Sequence, residues 1–379
     1  MRCGWTAPIA ASIRMRGARR RVGRVLGLAC LIAATVCANG AAAQGIAASG
    51  AAGLADRLQL SEAAAPERLR LRIHAQALAA GALPPRGLAR MRADMVRQGH
   101  YFDGGPPALV ARDAVVAPML AWDGNINGGV LQDRFVFNGL IFEAAPGVRA
   151  KAGLVAGGSV AGVTRHAWQT GRLIELRGAA ELGWSPEHRI GRADALVSAC
   201  SQNHLRGWTF LDLCGTAARY WRELDQGTAY QRSAGIVQVL AAERSAHQLE
   251  LRASRLSGSG QDQTRLSLSS DSVWSRLASR AELTLGQPRE GATLLDHRLD
   301  GGITWLMGDR PVSLDLSTQV LQGGAFLGVP RRDRVSGVSL STRLRPGASI
   351  RVGVIDSRST AGIANYRQVT LDLRLDRLR

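Results

Sequence analysis

The chain has 379 residues, a formal net charge of +18 and a mean hydropathy of −0.04. This balance is too polar for a bundle of membrane-spanning helices, and no run after the N-terminal region reaches the ~18 apolar residues that a spanning helix needs. Nucleic-acid binding is disfavoured as well, because the arginines alternate with acidic residues instead of clustering with aromatic residues on one face.

Residues 1–43 are predicted to be an export signal. They contain seven arginines and no acidic residue, with an apolar run at residues 25–38. Ala41 and Ala43 are small residues of the kind that a signal peptidase recognises, which makes Gln44 the expected first residue of the mature protein. A membrane-anchoring helix is the alternative, and the shortness of the apolar run argues against it.

Residues 44–107 are predicted to form a short helical segment that ends in a Gly- and Pro-rich linker. Pro66 and Glu67 mark a helix start, and residues 67–80 and 86–98 are each typical of one helix. The segment is expected in the periplasm, either as a helical cap or as a flexible tail.

Residues 108–379 are predicted to form an antiparallel β-barrel in the outer membrane of a diderm bacterium. The last run alternates apolar residues such as Leu371 with polar ones such as Asp372 and Arg374, and strict alternation is the signature of a strand. About 14 such runs, or at least about 12, follow one another at the length that a tilted membrane strand needs. A sheet in a bilayer must close on itself, because no water is present to satisfy its edges. The fold class is therefore all-β.

The polar stripe of each strand is expected to face a water-filled lumen. The predicted lumen-facing charges are Arg343, Arg345, Arg351, Asp372 and Arg374. If the lumen conducts ions, the arginines favour anions and the aspartate weakens that preference.

The connections are predicted to alternate between tight turns and longer loops, as in outer-membrane barrels. Residues 308–311 are expected to form a tight turn, and residues 322–331 a longer loop. Aromatic residues make up only 5% of the chain, so the aromatic girdles at the membrane surfaces must be sparse.

Cys200 and Cys214 lie on consecutive predicted strands. In an oxidising compartment they could form a disulfide, and two free thiols are an equally compatible arrangement.

Residues 123–128 match the first half of a calcium loop, but the position that needs a bidentate Glu is Arg134. A turn is the favoured interpretation and a weakened calcium site is the alternative. We predict no cofactor and no enzymatic activity, although a hydrolase assembled from Ser, His and Asp on separate strands is a third hypothesis.

The stretch 118–127 resembles the opening of the barrel domain in the surface lipoprotein assembly modifier family. In that family an aromatic-Asp-x-Asn-Ile-Asn stretch follows a Pro, and here Trp122, Asp123, Asn125 and Asn127 carry the match. The final hairpin is also similar to that family's last two strands.

The resemblance covers residues 114–379 and implies about 14 strands. It implies movement of surface lipoproteins or small secreted proteins across the outer membrane, with no covalent chemistry. The expected partners are such a client, outer-membrane lipid and the barrel-insertion machinery. Family members usually carry a periplasmic tetratricopeptide-repeat domain, whose pattern this chain lacks. Translocation is the first functional prediction, and a passive porin-like or structural barrel is the alternative.

Overall fold

The computed structural model describes residues 50–137, 139–242, 244–258, 262–289, 291–345 and 348–375. The predicted export signal, with Ala41, Ala43 and Gln44, lies outside these residues and stays a prediction. The chain divides into two compact units after Ala52, and the packing described below belongs to the second unit, Gly53–Arg379.

Between residue 50 and the first strand the structure has three α-helices: α1 (Gly50–Ala64), α2 (Glu67–Ala79) and α3 (Pro85–Arg97). The prolines at the starts of α2 and α3 supply a backbone angle that suits a first helical turn, which is why the sequence predicts these two helices within two residues. The sequence does not predict α1, because its apolar residues keep no helical period. No helix in the described part of the chain is long and apolar enough to cross a bilayer.

The described residues that follow form sixteen strands. They are β1 (Ala108–Asp123), β2 (Arg134–Phe137), β3 (Leu140–Glu143), β4 (Gly153–Gln169), β5 (Arg172–Ser185), β6 (Ile190–Arg206), β7 (Thr209–Trp221), β8 (Gln226–Ala241), β9 (Ala246–Ser257), β10 (Gln263–Val273), β11 (Leu277–Gly286), β12 (Leu294–Met307), β13 (Arg310–Phe326), β14 (Val329–Arg345), β15 (Ala348–Ser359) and β16 (Tyr366–Leu375). Two of them, β2 and β3, form a small hairpin in the long connection after β1.

Fourteen of these strands close into one antiparallel barrel, in which each strand from β4 to β16 pairs with the next. β1 closes the ring by pairing with β4 along its whole length and with β16 over Met119–Trp122. The predicted fold class and strand number are confirmed.

The strands have one apolar and one polar face. Leu182 on β5 is 64% exposed on the outer surface, whereas Glu175 on the inner face of the same strand is 2% exposed. Outward residues form apolar rows across neighbouring strands, such as Leu340, Val352 and Leu371, which are paired in register and all exposed. A closed ring with an apolar exterior is the arrangement of transmembrane barrels. The chain is accordingly an outer-membrane β-barrel.

The two ends of the barrel differ in their connections. At the end where β1 begins, the turns are short, and Gly308 and Asp309 form the predicted tight turn between β12 and β13. The opposite end carries the long connection between β1 and β4, so by the general rule it faces the cell exterior. The predicted loop at residues 322–331 is wrong, because β13 and β14 extend through it and join in a turn at Leu327 and Gly328.

Exposed tryptophans mark the outer end of the apolar surface. Trp122, Trp184 and Trp221 lie at the extracellular ends of β1, β5 and β7. Trp184 and Trp221 flank Gly191, whose missing Cβ would lie 3.6 and 3.7 Å from their rings. Tryptophan prefers the level of the lipid headgroups, so these rings indicate where the hydrocarbon ends.

Candidate functional site

The N-terminal helices lie inside the periplasmic mouth of the barrel. Leu69 and Ile73 of α2 have no exposed surface, and they belong to one buried cluster with inward residues of the barrel wall. The wall contributes Phe210, Val237, Val239, Ala246, Val273 and Ala278. The predicted helical cap is thus a plug, a name used below for α1 to α3, whose apolar face is covered by the inner wall.

Ion pairs fix the plug in place. Arg68 of α2 donates two hydrogen bonds of 2.8 Å to the carboxylate of Asp212 on β7. Arg165 on β4 contacts Glu67 of α2 at 2.6 Å and Glu175 at 2.7 Å. Such bidentate and buried pairs have the specific geometry that orients one element on another.

Further contacts join two helices of the plug to each other and one of them to a turn of the barrel. Arg70 of α2 donates to both oxygens of Asp94 on α3, at 2.7 and 2.9 Å, and Asp94 is fully buried. Arg72 lies over the Trp208 ring of the turn between β6 and β7, 4.8 Å from its centre. In this structure α2 is therefore packed against both α3 and the barrel wall.

The plug leaves one side of the lumen open. A cavity of about 820 Å³ lies between residues 63–66 of the plug and the inner wall formed by β10 to β16. A second cavity of about 330 Å³ adjoins it and shares Arg280, Asp315, Arg351 and Asp372 with it. A continuous polar space therefore runs along this wall.

The charges on this wall are partly paired. The Arg351 guanidinium donates to Asp315 at 3.2 Å and to the Ser339 hydroxyl at 3.1 Å. Arg280 contacts the same Asp315 at 3.8 Å. Arg343 also lines the larger cavity, is exposed to it, and has no carboxylate partner among the described residues.

The structure brings three of the five sequence-predicted lumen charges to one cavity and describes only the backbone of the other two. Arg343, Arg351 and Asp372 line one cavity. The backbone of Arg374 pairs with Ser349, and that of Arg345 pairs with Ala348; the side chains of both arginines lie outside the description.

The sequence-predicted set of lumen charges omits Asp271, Arg280 and Asp315, which line the same cavity. They occupy the polar stripes of β10, β11 and β13, so the alternating pattern did contain a signal. The register that sets Asp315 between Arg280 and Arg351 is a long-range property, which a single sequence does not contain.

The motif that carries the family resemblance organises the extracellular end of β1. Trp122 points outward, and Asp123 accepts hydrogen bonds from Arg192 and from the backbone N–H of Asn125. The Asn127 side chain donates to the carbonyl of Arg149 and accepts from the backbone N–H of Lys151 at 2.9 Å.

These side-chain oxygens are engaged by N–H donors, which favours the turn over the calcium loop. No group of three or more His, Cys, Asp and Glu that could hold a metal ion occurs among the described residues.

Cys200 and Cys214 form a disulfide between β6 and β7. The next residues on the same faces, Gln202 and Asp212, both contact Arg68 of the plug. The disulfide therefore faces the lumen beside the plug, and the free-thiol alternative does not hold in this structure.

The described residues bring two serines and one histidine together in a cluster. The Ser245 hydroxyl lies 2.9 Å from His247 Nε2, and the Ser272 hydroxyl lies 2.8 Å from Nδ1. All three residues are buried, and the Trp274 ring packs edge-on against the imidazole. A triad needs a carboxylate to orient the histidine and an accessible nucleophile, and this cluster has neither.

No family model and no curated protein matches this chain. Among solved structures, OccAB4 of Acinetobacter baumannii is similar at 7% identity and a TM-score of 0.37, over 72% of this chain and 98% of that one. OccK1 of Pseudomonas aeruginosa is similar at 8% identity and a TM-score of 0.38, over 69% and 98%. The outer membrane protein OprD of Pseudomonas aeruginosa is similar at 7% identity and a TM-score of 0.35, over 74% and 96%. Identities this low concern the fold alone.

Proposed function

We propose that this protein is a passive channel that admits small polar solutes, with a preference for anions, along the open side of its lumen. The observation that carries the proposal is the pair of adjoining cavities between the plug and the wall formed by β10 to β16. Charged side chains are tolerated on this wall because they face water, and a wet, charged wall is the surface along which ions permeate.

The anion preference rests on Arg343. The larger cavity is lined by Arg280, Arg343 and Arg351, and by Asp271, Asp315 and Asp372, so it has no excess charge of either sign. Arg280 and Arg351 share Asp315, and Asp271 and Asp372 lie opposite the same two arginines in register. Arg343 has no carboxylate partner in the described part of the chain and no carboxylate opposite it, since it pairs with Ser349. Arg343 is thus the cation best placed to contact a passing carboxylate or phosphate.

Ion selectivity measured in planar bilayers tests the proposal. The wild-type protein is expected to give steady conductance, and a salt gradient is expected to give a reversal potential of the sign that denotes anion preference. Arg343→Gln is expected to lower the anion-to-cation permeability ratio by about fivefold, because one charge at about 4 Å in water contributes about 1 kcal/mol. Asp315→Asn is expected to raise the ratio, because it removes one of the three carboxylates of the larger cavity.

Arg219→Gln serves as the control, because Arg219 lies on the outer face of β7 in register with Ala195 and Thr228. Its replacement is expected to leave the permeability ratio unchanged. Absence of conductance in the wild-type protein, or equal ratios in all three variants, would contradict the proposal.

Translocation of a lipoprotein or small secreted client stays an untested prediction. The helices that a translocation role would present to clients in the periplasm are packed into the barrel mouth instead. A non-conducting barrel whose deletion leaves an exported protein in the periplasm would favour translocation over the channel.

A further inference from the structure

The outer face of β14, β15 and β16 changes from apolar to basic over a short distance. Two apolar rows cross these strands in register. The first is formed by Leu340, Val352 and Leu371, and the second, on its extracellular side, by Val338, Val354 and Val369. Further toward the extracellular end, the outer face carries Arg334, Arg358 and Arg367. Arg334 pairs directly with Arg358, and Arg367 pairs with Asp356, one outward position before Arg358. These three arginines are called the rim patch below.

The rim patch lies at the headgroup level of the outer leaflet. Trp122 pairs with Leu371, in the same row as Val352. Arg367 is four residues further along β16, about 13 Å along the strand, which the tilt of a barrel strand reduces to about 10 Å along the membrane normal. Because Trp122 lies at the level of the lipid headgroups, the arginines lie on the extracellular side of that level, at the outer edge of the headgroup layer and outside the lumen.

The charge of the rim patch is poorly compensated within the protein. Asp356 contacts Arg358 at 3.0 Å, and the Arg358 side chain remains 82% exposed. Arg334 and Arg367 are exposed and have no carboxylate partner among the described residues. Elsewhere at this end of the barrel, by contrast, Asp262 binds both Arg255 and Arg289.

We propose that the rim patch binds the phosphate groups of a lipid in the outer leaflet. Arginine presents a planar fork of donors that matches a phosphate, and basic side chains close to a bilayer surface attract anionic headgroups. A phosphorylated lipid also matches the neighbouring apolar surface. Its acyl chains lie against the two apolar rows while its phosphate groups meet the arginines.

The test uses the full-length barrel in neutral detergent, and binding of doubly phosphorylated lipid A is measured by thermophoresis of the labelled protein. The variant Arg334→Gln/Arg358→Gln/Arg367→Gln is expected to bind on the order of a hundredfold more weakly, since each arginine near a charged surface contributes comparably. The matched control Arg86→Gln/Arg92→Gln/Arg310→Gln removes the same charge from exposed positions at the other end of the molecule, and is expected to bind like the wild type.

Two further titrations identify the ligand. Lipid A without phosphates is expected to bind the wild type as weakly as the triple variant binds lipid A. Inorganic phosphate in the same concentration range is expected not to compete. Equal losses in the two triple variants, equal binding of the dephosphorylated lipid, or competition by inorganic phosphate would each overturn the proposal.

Heat-modifiable migration on a gel is expected to show that all variants are folded barrels. The triple Lys variant Arg334→Lys/Arg358→Lys/Arg367→Lys is expected to retain part of the affinity, because it keeps the charge and loses the bidentate geometry. The channel properties are expected to be the same in the rim-patch variants, because these arginines face the outer surface and not the lumen, so this test is independent of the proposed function.

Discussion

Along β7 to β9 the inner wall is covered by helices and carries buried apolar side chains, whereas along β13 to β16 it is bare and polar. On the covered side, Val237 and Val239 pack against α1 and α2. On the bare side, Ser313, Ser341 and Ser349 face the cavity. The comparison teaches that the inner face of one barrel can serve as a protein core on one side and as a solvated surface on the other.

The largest effect is expected from a change in the covered side. Ile73→Asp should release the plug, because loss of a buried isoleucine costs about 2–5 kcal/mol and an unpaired buried carboxylate adds a desolvation penalty. Single-channel conductance should rise, and trypsin should cleave within residues 53–107. Leu78→Asp is the control, since Leu78 is exposed on the same helix. If Ile73→Asp leaves conductance and cleavage unchanged, the covered side does not hold the plug.

A smaller effect, on the free energy of unfolding, is expected from replacing the two arginines that pair with Glu175. The Arg165 side chain is 7% exposed and that of Arg177 is 55% exposed. Arg165→Gln leaves Glu67 and Glu175 without a buried cation, and should cost about 3–5 kcal/mol. Arg177→Gln should cost less than about 1 kcal/mol. Thermal unfolding in detergent measures both, and equal losses would contradict the assignment of Arg165 as the anchor of the plug.

The smallest effect, on the stability of the plug, is expected from a fall in pH. His74 of α2 is fully buried, and burial lowers its pKa below the usual 6.5, helped by the nearby charge of Arg70 and opposed by Glu62, Asp94 and a backbone contact with Arg70. The unfolded histidine then binds a proton at a higher pH than the folded one. The stability contributed by neutral His74 is fully present above pH 6.5 and is lost as the pH falls below that value.

Cleavage of the plug by a protease that is active in weak acid should therefore accelerate as the pH falls from about 7 to about 5. In His74→Leu the acceleration should be weaker, because the leucine does not titrate. A His74→Leu protein with the same pH dependence as the wild type would assign the effect to another group.

The sequence predicts the barrel well, because alternation of apolar and polar residues is a local property. Leu371 and Asp372, for example, show the two faces of β16 without knowledge of its neighbours. The site is less predictable. Which acid lies beside Arg351, and which wall α2 covers, depend on register and on contacts between residues far apart in sequence, as in the Arg68–Asp212 pair.

The closing seam of the ring carries a consequence for biogenesis. Among the described residues β1 meets β16 over Met119–Trp122 and Leu371–Arg374, which are far apart in sequence, whereas consecutive strands from β4 onward are neighbours in sequence and can pair as local hairpins. Closure therefore has to wait for the last strand, and until then β1 presents an unpaired edge of the kind that aggregates. Chaperoning of that edge during transit is thus a requirement set by topology, whatever solute the finished pore conducts.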